Sequence, residues 1–186
     1  VAIEGVGDRR LWPVRDGGRP VPRPGQRPPG GLEQEALAEA AVPRDEVQPG
    51  RDGLQVVYTY FSPSARAFAD GMPAECRGYL PWDVADEVGP VLDALRPDLV
   101  AFTKTEVWPV LSAEAADRGV PLFLVGAALP RGAGRLHPAA RWILRPSFQR
   151  LRVVAAISEE DGGRFPLLGV PEERIVVTGD PGIDSD

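Results

Sequence analysis

The segment DLVAFTKTEVWPVLSAEAADRGVPLFLVG, residues 98–126, decides the fold class. It opens with a short apolar run, residues 98–103, which has the length and continuity of a strand buried on both faces. A helix-like stretch follows; Gly119 indicates where that helix ends, and Pro121 opens a second apolar run. A strand, a helix and a second strand in this order predict a parallel sheet of the α/β class.

The same alternation extends along the chain from residue 54. The apolar runs are rich in β-branched and aromatic residues, and helix-like segments lie between them. We therefore predict a Rossmann-like parallel sheet with right-handed crossovers. Ser158 is expected to cap the last helix, whose first turn is acidic. The predicted strands are 54–60, 98–103, 121–126, 152–158 and 174–179, and the helix-like segments are 62–71, 83–95, 106–119, 138–150 and 158–169.

The first 52 residues differ sharply in composition from the rest. They include RLWPVRDGGRPVPRPGQRPPGG, which is dense in proline, glycine and arginine. Because proline removes a backbone donor and glycine is costly to order, residues 1–52 are predicted to be largely irregular, with one short helix at 32–41. Residues 53–186 form the predicted Rossmann-like domain. Val1 is not an initiator methionine, so we expect a fragment or a trimmed chain.

Composition and charge argue against several kinds of function. The net charge of −6 at pH 7 provides no global basic field, so no nucleic-acid partner is expected. Cys76 is the only cysteine and His137 the only histidine, so we expect no internal disulfide and no metal site. No run approaches the ~20 apolar residues that span a bilayer. Neither a glycine-rich dinucleotide fingerprint nor a P-loop follows the first strand, and no cofactor is predicted.

Polar and aromatic side chains at two predicted strand ends are candidates for ligand binding. Ser62 and Ser64, in the sequence YFSPSA, either hold an anion or a sugar hydroxyl or cap the following helix. Lys104 and Glu106 either contact a ligand or form a surface ion pair, which would stabilise the fold by only ~0–1 kcal/mol. Trp108 either offers a flat apolar surface to a sugar ring or packs in the core.

A local block of positive charge stands out in this acidic chain. Residues 131–152 contain arginines and no acid, with aromatic and aliphatic residues interleaved. This pattern fits a phosphate-rich membrane surface, and it equally fits arginines that extend over the core from a solvated helix. Pro146 is expected to interrupt the helix. The basic residues are Arg131, Arg135, Arg141, Arg145, Arg150 and Arg152, and the apolar ones include Trp142, Ile143, Leu144 and Phe148.

Several stretches, taken in order, resemble one family. YTYFSPSA, YLPWDVADEVGPVLDALRPDLV, KTEVWPVLSAEAADRGVPLFLVGAAL and ISEEDGGRFPLLGVPEERIVVTGD are similar to the N-terminal domain of 3-deoxy-D-manno-octulosonic acid (Kdo) transferases, over about residues 53–184. The resemblance implies the N-terminal half of a two-domain GT-B fold. It implies an inverting transfer of Kdo from the donor CMP-Kdo to a lipid A precursor, in lipopolysaccharide biosynthesis. It also implies a peripheral position on the cytoplasmic face of the inner membrane.

The resemblance further implies roles for particular residues. Glu106, Trp108 and Pro109 match the family motif ETE-x-WP, which borders the cleft where acceptor and donor meet. Lys104 replaces the first glutamate of that motif, so the role of that acid is not transferred. The arginine-rich block falls where the family's acceptor-facing and membrane-facing surface is expected. The predicted acceptor-binding residues are Ser62, Ser64, Lys104, Glu106 and Trp108, and the predicted contacts to phosphate or to the anionic membrane are Arg131, Arg135, Arg141 and Arg145.

Two departures from the family pattern concern activity. The family motif WxHxxSxGE, whose glutamate is the expected general base, is replaced after Leu11 and Trp12 by proline- and arginine-rich sequence. Off-frame translation of GC-rich DNA gives such a composition, so we hypothesise that residues 13 to about 52 derive from a frameshift. The nucleotide-binding C-terminal domain is expected beyond Asp186. We therefore assign no catalytic residue and expect this chain to be inactive alone.

Two other functions fit parts of the sequence. VTGDPGID, residues 177–184, also resembles the end of the first domain of GT-B nucleotide-sugar epimerases, although the TEVWP stretch argues against that alternative. The second alternative is a non-enzymatic module that docks on anionic lipid through the arginine block.

Overall fold

The described part of the chain forms two compact units. The computed structural model describes residues 2–4, 55–71 and 74–181. The smaller unit lies within residues 55–97, and the larger unit comprises residues 2–4 and 98–181. The helix predicted at 32–41 and nearly all of the segment predicted to be irregular lie outside the described residues.

Strands and helices alternate from residue 56 onward. The strands are β1 (Ala2–Glu4), β2 (Val56–Tyr60), β3 (Cys76–Tyr79), β4 (Leu99–Thr103), β5 (Leu122–Ala127), β6 (Leu151–Ala156) and β7 (Ile175–Val177). The α-helices are α1 (Arg66–Asp70), α2 (Ala85–Leu95), α3 (Pro109–Asp117), α4 (Pro138–Gln149) and α5 (Glu159–Gly162). Short 3-10 helices lie at Pro63–Ala65, Gly134–Leu136, Phe165–Leu168 and Glu172–Arg174. All five predicted strands are confirmed, whereas β3 was not predicted and β1 lies in the segment predicted to be largely irregular.

The larger unit contains a sheet with the strand order β1-β4-β5-β6-β7. Strands β4 to β7 are parallel, and β1 pairs antiparallel with β4. The central strands bury their large apolar residues, among them Val100, Phe102, Leu124 and Val154. The prediction of an α/β fold with a parallel sheet is therefore confirmed. Because parallel strands end at the same edge, the loops that follow β4 and β5 lie close together.

The smaller unit contains a parallel strand pair and helix α2. Val57 of β2 lies opposite Cys76 of β3, and the Cys76 thiol is buried. Helix α2 buries Val88, Val91 and Leu92, which recur at the spacing of one helix face. The other buried apolar residues described in this unit include Tyr60, Ala69, Cys76 and Leu80.

Helix α4 runs through Pro146 without ending there, which corrects the expectation that this proline interrupts the helix. The ring is exposed, and the missing N–H deprives only the carbonyl of Trp142 of a helical donor. The helix ends shortly afterwards at Gln149. Phe148, in its last turn, is fully buried with its ring centroid 6.2 Å from that of Phe165. This aromatic pair fixes α4 against the following 3-10 helix.

The segment predicted as the last helix, residues 158–169, is divided into α5 and the 3-10 helix Phe165–Leu168. Ser158 caps α5 as predicted, since its Oγ accepts a hydrogen bond from the Asp161 N–H at 3.1 Å. The paired glycines that end α5 and the proline that follows explain the division, because both residue types disfavour a continuing α-helix.

Candidate functional site

The carboxyl end of β4 leads into a corner that carries three predicted site residues. Lys104 adopts the left-handed conformation, with a φ of 57°, and turns the chain away from the strand. The Glu106 N–H then donates a hydrogen bond to the Thr103 carbonyl at 3.1 Å. Trp108 is extended, and Pro109 opens α3, as the sequence predicts. Lys104 and Glu106 are exposed at the end of the strand where ligands bind in open α/β sheets.

Trp108 is half-buried. Its environment therefore lies between the two alternatives, a ring packed in the core and a ring exposed to contact a sugar. Its neighbour Val107 is buried and anchors the corner to the core. The Trp108 carbonyl accepts the Ser112 N–H at 2.8 Å, and the Ser112 hydroxyl donates to the Pro109 carbonyl at 2.8 Å. The backbone of the corner is therefore fixed to the first turn of α3.

Glu106 forms an ion pair with Arg135, which lies in the loop after β5. Arg135 Nη2 is 3.0 Å from Glu106 Oε1, and the Glu106 side chain is 57% exposed. The ion pair considered between Lys104 and Glu106 is not formed within the described residues. The structure thus brings together one predicted acceptor-binding residue and one predicted phosphate-binding residue. A carboxylate and a guanidinium side by side can contact both a sugar hydroxyl and a phosphate.

Ser62 and Ser64 occupy the turn after β2 in the smaller unit. Their hydroxyl oxygens are 2.7 Å apart, and the Ser64 N–H donates to Ser62 Oγ at 3.3 Å. The Ala65 N–H donates to the Ser62 carbonyl at 3.0 Å. Ser62 Oγ therefore accepts a backbone N–H at the start of the 3-10 helix Pro63–Ala65, whereas α1 itself begins without a side-chain cap. Both side chains are exposed, so their role as ligand contacts stays a prediction.

Aromatic side chains next to this turn were not singled out from the sequence. The rings of Phe61 and Trp82 are edge-to-face, with centroids 5.3 Å apart, and Phe61 is exposed. The Trp82 N–H donates to the Glu87 carboxylate at 3.0 Å, which holds the loop after β3. Burial raises the pKa of the Tyr60 hydroxyl, and Tyr79 adds to the effect. Tyr60 is therefore protonated at neutral pH, so its hydroxyl is not a candidate base.

The predicted basic contacts have different environments. Arg131 is exposed in the loop after β5. Arg141 Nε donates to the Leu167 carbonyl at 2.9 Å, so its guanidinium holds the 3-10 helix Phe165–Leu168 against α4. The Arg145 side chain passes close to Gly169, where a Cβ would lie 2.8 Å from Arg145 Cγ. Arg141 and Arg145 thus make structural contacts in addition to any contact with a ligand.

Helix α4 also presents large apolar side chains to solvent. Trp142 is 80% exposed and Ile143 is 62% exposed. Trp142 and Ile143 form a patch that we call the α4 apolar patch, and Arg145 follows Trp142 by three positions on the same helix. Exposing two large apolar side chains to water is unfavourable. Patches of this kind are typical of surfaces that contact another protein or a membrane. None of the helices within residues 55–71 and 74–181 is long and apolar enough to cross a bilayer.

A charged pair that sequence reasoning missed holds the loop after β5. Asp161 Oδ1 accepts the Leu129 N–H at 2.7 Å, and Arg164 Nη1 donates to the Leu129 carbonyl at 2.7 Å. The same Nη1 lies 3.3 Å from Asp161 Oδ1, and Ser158 Oγ donates to Asp161 Oδ2 at 2.6 Å. The Ser158 cap was a visible signal in the sequence, but its spacing does not indicate a contact with Leu129.

Comparison with known families decides the relationship. A model of the family described as 3-deoxy-D-manno-octulosonic-acid transferase (Kdo transferase) matches residues 37–185. The chain belongs to this family. The match begins at residue 37, within the segment hypothesised to be frameshifted, and continues through every described element from β2 to β7.

Curated Kdo transferases are similar to the chain at modest identity. The 3-deoxy-D-manno-octulosonic acid transferase of Haemophilus influenzae is 25% identical over 147 residues, which cover 78% of this chain and 34% of that protein. The enzyme of the same name from Chlamydia muridarum is 25% identical over 100 residues, which cover 54% of this chain and 23% of that protein. The chain therefore spans about a third or less of the length of these relatives.

A solved structure is also similar to the chain. The UDP-N-acetylglucosamine 2-epimerase of Rickettsia bellii superposes with a TM-score of 0.45 at 19% identity. The superposition covers 67% of this chain and 36% of the epimerase.

Proposed function

We propose that the chain is the acceptor-side domain, in the N-terminal half of a GT-B fold, of an inverting glycosyltransferase. The intact enzyme transfers Kdo from CMP-Kdo to a lipid A precursor in lipopolysaccharide biosynthesis. The observation that carries the proposal is the Kdo transferase family match over residues 37–185. The corner after β4 supports it, since its charged and aromatic residues suit a phosphorylated sugar.

In this proposal Glu106 and Arg135 share the recognition of the acceptor. The Glu106 carboxylate accepts hydrogen bonds from sugar hydroxyls, and Arg135 donates to a phosphate while holding Glu106 in place. Lys104 adds positive charge at the same strand end, and Trp108 offers the exposed part of its ring to a sugar face. Ser62 and Ser64 add hydroxyl groups to acceptor binding. Arg131, Arg141 and Arg145 contribute phosphate or membrane contacts.

The transfer itself needs a base that takes the proton from the attacking sugar hydroxyl. We assign no such base among residues 55–71 and 74–181. Glu106 is given a binding role, because its carboxylate is already engaged by a guanidinium. Binding residues of this kind raise the fraction of enzyme that holds the acceptor in a reactive position.

A transfer assay on the full-length gene product tests the proposal. We expect CMP-Kdo and a lipid A precursor to give a Kdo-bearing lipid, and Glu106→Gln to raise the KM for the acceptor about tenfold, because hydrogen bonds to a charged group are lost. Glu114→Gln is the matched control, since Glu114 pairs with Arg118 on the surface of α3. Its kinetics should equal those of the wild type.

Two outcomes would contradict this function. One is epimerisation of UDP-N-acetylglucosamine by the same protein without Kdo transfer. The other is an identical acceptor KM for the wild type, Glu106→Gln and Glu114→Gln. This result would mean that the corner does not bind the acceptor.

We further propose that the intact protein sits peripherally on the cytoplasmic face of the inner membrane, with α4 against the lipid. Residues 131–152 contain no acid, and arginines near an anionic surface contribute about 1 kcal/mol each. The α4 apolar patch, Trp142 and Ile143, supplies the side chains that enter the headgroup region. Charge and apolar area on one helix support an anionic bilayer as the partner.

Vesicle co-sedimentation of the 186-residue chain checks this placement. We expect binding to vesicles of phosphatidylcholine with phosphatidylglycerol, and weaker binding to phosphatidylcholine alone. The double variant Trp142→Ser and Ile143→Ser should lower the partition coefficient about tenfold or more, because apolar burial is lost. Val176→Ser, an exposed valine on β7, is the control and should bind like the wild type. Equal binding by both variants would exclude the patch from the lipid contact.

A further inference from the structure

We propose that Asp161 and Arg164 are positioning residues for acceptor recognition. Through the backbone of Leu129 they set where Arg135 meets Glu106, although neither residue lies in the corner itself. The inference rests on the proposed function in one respect, namely that this corner binds the acceptor. It assigns a role to two residues outside the motif ETE-x-WP.

The first step is the fixation of Leu129. Its N–H and its carbonyl are both bonded to side chains, to Asp161 and Arg164 respectively, at 2.7 Å each. Its own side chain is fully buried. A residue held at both backbone polar groups and by its side chain cannot shift without breaking several contacts, so the start of the loop after β5 is fixed.

The second step is the structural connection between Leu129 and Arg135. The Ala133 N–H donates to the Pro130 carbonyl at 2.9 Å, and the Leu136 N–H donates to the Ala133 carbonyl at 2.9 Å. The His137 N–H donates to the Gly134 carbonyl at 3.1 Å. Consecutive turns therefore connect Leu129 to the 3-10 helix that contains Arg135. A displacement of Leu129 would move the Arg135 guanidinium away from Glu106.

The third step is the cost of the arrangement. The side chains of Arg164 and Asp161 are only 14% and 15% exposed. Burying two charges costs solvation free energy that their mutual attraction offsets incompletely, and apolar residues often stabilise a fold as well. A buried pair that bonds to one backbone residue fits a role in fixing geometry. Glu160, in contrast, is 74% exposed and contacts Arg164 alone among the members of this network.

Kinetics on the full-length gene product test the role. Asp161→Asn should raise the acceptor KM about tenfold and change kcat by less than about twofold, because a displaced binding group weakens ground state and transition state alike. Glu160→Gln is the matched control and should match the wild type. A wild-type KM for Asp161→Asn, in a protein of unchanged melting temperature, would overturn the inference.

A double-mutant cycle separates positioning from general weakening of the fold. In an Arg135→Gln background, Asp161→Asn should add less than about twofold to KM, because the guanidinium that it positions is already absent. If the effects of the two substitutions on KM multiply, Asp161 acts independently of that group. This result would overturn the inference. Arg164→Gln, which removes the Nη1 that donates to both the Leu129 carbonyl and Asp161 Oδ1, should repeat the result if Asp161→Asn fails to fold.

Amide hydrogen exchange on the 186-residue chain keeps this inference distinct from the proposed function. Exchange at Leu129, Ala133 and Leu136 should be about tenfold faster in Asp161→Asn than in Glu160→Gln. If the wild type transfers no Kdo, the proposed function fails. Faster amide exchange in Asp161→Asn than in Glu160→Gln would still show that Asp161 fixes this loop. If transfer is present and exchange at these amides is identical in both variants, the positioning fails alone.

Discussion

Replacing Phe165 with alanine is expected to lower the free energy of unfolding by about 3–5 kcal/mol. The ring is fully buried, and its centroid lies 6.2 Å from that of Phe148 with the planes inclined at 32°. Removing it leaves a cavity between α4 and the 3-10 helix Phe165–Leu168, in addition to the lost transfer free energy. Urea unfolding of the 186-residue chain, followed by circular dichroism, measures the change.

The same 3-10 helix supplies a matched control. Leu167 lies two positions along and is 43% exposed, so Leu167→Ala should cost less than about 1 kcal/mol. Because Phe165 holds α4, the alanine variant should also bind anionic vesicles more weakly than Leu167→Ala does. Equal unfolding free energies for the two variants would mean that the aromatic pair does not fix α4.

Gly169→Ala should destabilise the chain by about 2–3 kcal/mol, since it combines backbone strain with crowding. Gly169 has a φ of +92°, which side chains rarely adopt, and a Cβ there would lie 2.8 Å from Arg145 Cγ and 3.1 Å from Gln149 Cγ. The flexible arginine can move aside, but in doing so it leaves the close packing over the end of the 3-10 helix. The melting temperature and the urea midpoint both report the loss.

Two other glycines divide this effect into its parts. Gly119 has a φ of +74° and open space around the Cβ position, so Gly119→Ala should cost about 1–2 kcal/mol from strain alone. Gly132 has neither a left-handed φ nor a close neighbour, and Gly132→Ala should be nearly neutral. If Gly169→Ala costs no more than Gly119→Ala, the contact with Arg145 has no energetic weight.

The strands of the fold could be predicted from the sequence where local pattern decides them. The runs that became β4, β5 and β6 are apolar and largely β-branched or aromatic, and they are buried in the sheet. β3 could not be predicted, because Arg77 and Gly78 interrupt any apolar pattern. Its strand conformation depends on pairing with β2 and on Glu75, whose carboxylate accepts the Val56 N–H at 2.8 Å.

The candidate site was predicted in position but not in its contacts. The order of strand and helix indicated that Glu106 follows a buried strand. Its partner Arg135 is 29 positions away, and Asp161 is 32 positions from the Leu129 amide that it holds. No spacing rule within a single helix or strand reaches such distances. The hydrogen bond from Arg141 to the Leu167 carbonyl likewise cannot be predicted from spacing, because it depends on the fold that brings this carbonyl beside α4.

The chain has one cysteine, and β3 places its thiol inside the smaller unit. An alkylating reagent reaches a buried thiol only while the surrounding structure is locally open. The alkylation rate of Cys76 therefore reports how often the structure around this thiol opens. The sequence thus contains its own chemical label for local opening around β3.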